Sequence, residues 1–173
     1  MRLVSSTDCA KKERAERPRM FEKILVCLDG SHFAEQILPY VTEQALCFGS
    51  KVVLLQVIAR PPYIRSTARP YVIRELMEEF QAEDKGARAY LDRIASSLRS
   101  QGVDVEYVPL QGTPGEAGKD ILSYAEKNNV DLIAIATHGL SGLKRFLFGS
   151  VADFVLRESN LPILLIRPQE AEI

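Results

Sequence analysis

The order of apolar runs and helical stripes along this chain predicts an α/β fold, a single-domain open five-stranded parallel sheet with helices on both faces. Two observations carry the prediction. Runs of strand length, KILVCL at Lys23 to Leu28, KVVLLQVI at Lys51 to Ile58 and DLIAIA at Asp131 to Ala136, are near-continuous rather than alternating, as in strands covered on both faces. Strand and helix then alternate throughout, and parallel strands need crossover helices that pack right-handedly onto the sheet.

The elements follow in order. The first twenty residues mix Lys11, Lys12, Arg14, Arg17 and Arg19 with Asp8, Glu13 and Glu16, and lack the apolar stretch of a signal peptide. They read as a mobile tail before a domain spanning 21–168, with Met20 an alternative start and 169–173 a short C-terminal tail. After the first strand, Ile37, Leu38, Val41 and Ala45 recur at helical spacing, with Ser31 as N-cap and Gly49 as stop. Pro39 lies inside that stripe, so the helix is expected to lose one backbone hydrogen bond and bend there.

The second strand leads through Arg60-Pro-Pro into an irregular stretch ending at Pro70. Leu76, Phe80, Ala87, Leu91, Ile94 and Leu98 then keep helical spacing, a long amphipathic helix ending before Gly102. Val103 to Leu110 begins with strict alternation and carries Pro109, features of a strand near the sheet edge. Thr113-Pro-Gly-Glu116 is expected to open the next helix, with Thr113 as N-cap, Pro114 in the first turn and Glu116 completing a capping box. Asp131 to Ala136 is the fourth strand, Ser150 to Ser159 a helix and Pro162 to Ile166 the fifth strand.

Composition narrows the functions. With 46% hydrophobic and 26% charged residues the chain is an ordinary globule, and 22 basic against 23 acidic residues leave no overall field for nucleic acid or anionic lipid. No apolar run reaches the roughly 18 residues of a membrane helix. Cys9, Cys27 and Cys47 form no Cys-x-x-Cys pair, which suits a reducing, cytoplasmic setting, and Cys27 reads as inert core.

The segment carrying chemistry runs from Ile135 to Ser150, leaving an apolar strand and entering a helix. Glycines at 139, 142 and 149 allow backbone N–H groups to converge on one anion. Ser150, at the helix N-terminus, adds a hydroxyl and amides where the dipole favours negative charge. Residue types alone leave a turn plus helix cap as good a reading as a phosphate cradle. In this sheet type ligands sit where strand order reverses, so with strands one and four flanking that point Asp29 and the Thr137 loop share one crevice.

From about Phe21 to Arg167 the chain resembles the universal stress protein family, whose ATP-binding branch carries Gly-x2-Gly-x9-Gly-Ser/Thr. Gly139-x9-Gly149-Ser150 matches in residue and spacing, while Ala136 stands where the pattern has its first glycine. That departure is expected to weaken or alter phosphate contact rather than abolish it. The opening strand with Asp29, the strand Leu54 to Ile58 and the Gly112-Thr-Pro turn extend the resemblance. It implies a Rossmann-like, adenine-nucleotide-binding fold and a regulator of the cellular stress response that binds ATP, with or without Mg2+. By the same resemblance Asp29 and Val57 belong to the adenine pocket. Ala136, His138, Gly139, Gly149, Ser150 and Val151 would hold ribose and phosphates. The last strand, Ile163 to Ile166, is expected to pair across a homodimer, which would also cover an apolar edge.

Each residue has a plainer reading. Asp29 could cap the first helix beside Ser31, Val57 would be buried in any case, and Lys144 and Arg145 could be solvated loop charges. His138, with only His32 as a second histidine and no acidic cluster near in sequence, reads as a loop contact rather than a base or metal ligand. The chain has no Gly-x4-Gly-Lys-Ser/Thr and no Gly-x-Gly-x-x-Gly after its first strand, which excludes a Walker-type NTPase and a dinucleotide site. It lacks the acidic cluster of a phosphoryl-accepting receiver. The resemblance leaves two alternatives open: a slow ATPase or self-phosphorylating protein using Thr137, Ser141 or Ser150, and a nucleotide-free interaction module.

Overall fold

The computed structural model describes residues 21–61, 70–137 and 149–169. The elements are β1 (Lys23–Leu28), α1 (His32–Glu35), α2 (Leu38–Phe48), β2 (Lys51–Ala59), α3 (Pro70–Ser100), β3 (Asp104–Gly112), α4 (Ala117–Lys127), β4 (Leu132–Ala136), α5 (Ser150–Glu158) and β5 (Ile163–Ile166). The strands form one five-stranded sheet in the order β3-β2-β1-β4-β5. Every pair is parallel, with Ile24 opposite both Val52 and Leu132.

The continuous apolar runs become the three central strands. All of β4 is buried, as is β1 beyond Lys23, because helices cover both faces. Ile24, Val26, Val52 and Leu54 face α1, α2 and the second half of α3, whereas Leu25, Cys27, Val53, Leu55, Ile133 and Ile135 face α4 and α5. Pro109 is tolerated because β3 is an edge strand. At the foot of the sheet the Asp131 carboxylate accepts from the Lys23 N–H at 2.8 Å, pinning the starts of β1 and β4 together.

Three sequence expectations are corrected. The single bent helix after β1 is instead divided. Ser31 caps α1 through a 3.1 Å bond from the Ala34 N–H, and α2 restarts with Ile37 as its N-cap. Pro39 therefore lies in the first turn of α2, where its missing N–H has no intrahelical acceptor to lose. The capping box at Thr113 does not form. The Glu116 N–H reaches the Thr113 carbonyl at 3.0 Å and Gly115 has φ +76°, a type II turn with Pro114 and Gly115 at its centre. α4 then starts at Ala117 with Glu116 as N-cap and no side-chain capping bond. Finally, only the second half of α3 uses its stripe as core. Ala87, Leu91, Ile94 and Leu98 are buried, whereas Leu76 and Phe80 are half-buried and Ile73 and Met77 exposed.

Gly49 ends α2 at φ +70°, the left-handed stop its position implied. Gln169, expected to begin a tail, is held by a paired amide clamp. Its N–H donates to Gln36 Oε1 and its carbonyl accepts from Gln36 Nε2, both at 2.9 Å.

Candidate functional site

The strand order reverses between β1 and β4, since the chain leaves β1 toward β2 on one side and returns to β4 on the other. Above the carboxyl ends of β1, β2 and β4 lies a cavity of about 280 Å³, near the lower end of ligand-pocket sizes. Its floor is apolar, made by Cys27, Leu55 and Ile135. One wall is Val57 with Ala117 and Ile121 of α4, the other Thr137, Gly149, Ser150, Val151 and Ala152, and Asp29 and Ala136 stand at the strand ends. Asp29, Val57, Ala136, Gly149, Ser150 and Val151 therefore meet at one cavity. His138, Gly139, Ser141, Gly142, Lys144 and Arg145 lie outside the described residues.

Local chemistry explains the α5 side. Thr137 is buried, its N–H donating to the Ile166 carbonyl at 2.8 Å and its carbonyl accepting from the Gly149 N–H at 2.6 Å. The two ends of the glycine loop are thus tied together. A Cβ on Gly149 would stand 3.3 Å from the Thr137 carbonyl oxygen, a tight contact, whereas its φ of −67° makes no demand for glycine. As N-cap of α5, Gly149 offers no side-chain acceptor to the first-turn N–H groups. The one acid of that turn, Asp153, pairs with Arg157 at 2.9 Å. Among the described residues no side chain caps the start of α5, and such a helix start facing a cavity attracts an anion.

Asp29 does not itself cap α1; that is done by Ser31. Asp29 lines the cavity, and its Oδ1 accepts from the Ser31 N–H at 3.0 Å and Ser31 Oγ at 2.6 Å, holding the residue that caps α1. The α4 wall stands where it does because α4 and α5 approach closely. A Cβ on Gly118 would lie 2.6 Å from Phe154 Cδ1. Ala117 and Ile121 were not foreseen as site residues, since a lining position on an apolar stripe has the same sequence signature as core.

Cys27 is buried among apolar side chains, which push its thiol up to about 12 from 9.0. A raised folded-state value means the native protein holds this proton more tightly than the unfolded chain. The associated stability is fully present below pH 9.0 and is lost as pH rises toward about 12. Thiol-labelling at pH 8 should modify exposed Cys47 rapidly and Cys27 only after denaturant is added, read by peptide mass spectrometry. Rapid native labelling of Cys27 would contradict the buried floor.

A family model described as the universal stress protein family matches residues 20–167. The chain belongs to the universal stress protein family. Universal stress protein MJ0577 of Methanocaldococcus jannaschii is 30% identical over 158 residues, covering 86% of this chain and 96% of that protein. MJ0531 of the same organism is 28% identical over 155 residues, covering 88% and 86%. The solved structure of MJ0577 superposes with a TM-score of 0.73, covering 88% of this chain and 99% of its own at 29% identity. A universal stress protein of Archaeoglobus fulgidus, solved in complex with dAMP, shares the fold at a TM-score of 0.58 and 23% identity, covering 84% of this chain and 98% of its own. Some members of the family thus bind adenine nucleotides. Among the described residues no three His, Cys, Asp or Glu side chains converge on a cation site, and no helix is long and apolar enough to cross a membrane.

Proposed function

We propose that this protein is an ATP-binding regulator of the cytoplasmic stress response, in which nucleotide occupancy between β1 and β4 biases the shape or pairing of the domain. The observation that supports it best is the division of the cavity: an apolar floor closed by Val57 at one side, and the start of α5, whose N-cap is a glycine, at the other. A planar base suits the first and phosphate oxygens the second. Asp29 stands within the same lining to accept from the base or sugar. With no carboxylate cluster among the described residues, a magnesium ion would enter on the phosphates rather than on a protein cage. The dAMP complex of the Archaeoglobus protein is consistent with this reading.

Calorimetry with ATP, ADP and AMP, together with mass spectrometry of small molecules released from natively purified protein, tests the proposal. Saturable heat or co-purified adenine nucleotide is expected. Absence of both would remove the reading.

Pairing belongs to the same proposal. β5 is a half-buried apolar edge strand, and its inward bonds are visible at Pro162, whose carbonyl accepts from the Ile133 N–H, and Ile166, whose carbonyl accepts from the Thr137 N–H. Alternate residues of a parallel strand bond inward, so Ile163 and Leu165 present their N–H and C=O groups outward. A second copy can pair with that edge through Ile163 to Ile166. Light scattering at micromolar concentration should return a dimer mass, and Leu165→Pro, which removes an outward donor and no bond to β4, should return a monomer. A wild-type monomer would refute the pairing.

A further inference from the structure

The geometry points to Gly112 and Asp120 as positioning residues that fix Val57 from behind and so set the width of the cavity available to a nucleobase. This rests on the nucleotide-binding reading and goes beyond it, since neither residue lines the cavity. Gly112 ends β3 opposite Ala59, two positions on from the Val57–Leu110 pair. Its φ is not in the left-handed region, so the backbone does not demand glycine. Space demands it. A Cβ there would lie 2.4 Å from Val57 Cγ1 and 2.6 Å from Asp120 Oδ2.

Neither neighbour can yield cheaply. Valine is stiff at χ1, and Asp120 Oδ2 is anchored by the Thr113 N–H at 2.7 Å. Asp120 also sits on α4 between Ala117 and Ile121, both of which line the cavity. Val57 thus has filled space behind it and open space before it. Any atom added at 112 drives the Val57 methyl groups into the cavity, because Asp120 closes the other side of that space, and any atom removed at 120 opens it. The phosphate end, at the start of α5, takes no part in this clamp.

The test uses the full chain carrying Gly112→Ala, with calorimetry against adenosine, ATP and tripolyphosphate and methyl NMR of the ligand-free protein. Overpacking of this kind should lower adenosine and ATP affinity by roughly tenfold or more. Tripolyphosphate affinity should be unchanged and the Val57 methyl resonances displaced. Adding Val57→Ala to Gly112→Ala removes the crowded Cγ1 and should restore much of the lost affinity, which a general loss of folding would not allow. Asp120→Ala is the second variant should Gly112→Ala fail to fold, with adenosine binding falling roughly threefold and tripolyphosphate again unmoved. Unchanged adenosine binding in a folded variant, or equal losses for adenosine and tripolyphosphate, would overturn the inference. Should the wild type bind neither adenosine nor ATP, the nucleotide reading fails. The clamp is then decided by the Val57 methyl resonances, which support it if displaced in either variant and overturn it if unmoved.

Discussion

Replacing Ser150 by aspartate should raise the stability of this protein while largely abolishing ATP binding. Ser150 is the exposed first residue of α5, and the N-cap before it has no side chain to accept from the first-turn amides. A carboxylate there meets the positive end of the helix dipole, worth about 0.3–1 kcal/mol. For a domain of this size that is a gain on the order of 1–3 °C in Tm. The same carboxylate lies in the cavity wall proposed to hold phosphates. Two like charges about 4 Å apart repel by roughly 4 kcal/mol at the effective dielectric of a protein surface. ATP affinity should therefore fall by about a hundredfold or more. Ser150→Ala, which removes only a hydroxyl, should cost roughly tenfold at most. Adenosine, lacking phosphates, should bind both variants like the wild type. Thermal melts and calorimetry on the same samples check the opposed signs. A more stable Ser150→Asp protein with unaltered ATP affinity would show that the phosphates do not lie at α5.

The opposition of signs matters because it separates what local sequence can show from what only packing shows. The start of α5 is a local feature: a glycine, a serine and a following apolar stripe are visible without a structure, and so was the Ser31 cap of α1. The central strands were legible for the same reason, since burial on both faces leaves no alternation to misread. Pro39 was misplaced because the apolar stripe runs unbroken from Ile37 to Ala45 although the helix does not. Periodicity reports which side chains face the core, not where the backbone bonds are interrupted. Thr113 to Glu116 satisfies two local rules at once. Pro114-Gly115 chose the turn over the capping box because glycine supplies the positive φ that a type II turn needs. The α4 wall and the Gly112–Val57 contact depend on residues distant in sequence meeting across two elements, and no spacing encodes that. The exposed first half of α3 shows the converse, a helical stripe whose sheet ends before it does.

Two adjacent leucines provide the other large effect and test the two faces of the sheet against each other. Leu54 and Leu55 are 0% and 1% exposed, but Leu54 packs toward α1–α3 and Leu55 toward α4, α5 and the cavity floor. Truncating a buried leucine to alanine costs the lost transfer energy plus a term for the void left behind, together about 2–5 kcal/mol. Leu54 does not line the cavity, so Leu54→Ala should bear the full void term, about 3–4 kcal/mol. Against a total stability of roughly 5–15 kcal/mol that is a large share, and Tm should fall on the order of 10 °C. The space vacated by Leu55→Ala merges with a cavity already present, so less new void is created and the cost should be nearer 2 kcal/mol. Function should rank them the other way. Leu54→Ala keeps the floor and should bind ATP like the wild type below its melting range. Leu55→Ala removes part of the apolar floor and should weaken ATP and adenosine alike, leaving tripolyphosphate unaffected. Urea unfolding with calorimetry on both variants decides the matter. Equal stability losses with equal affinity losses would mean that the cavity floor and the opposite core are one cooperative unit rather than two.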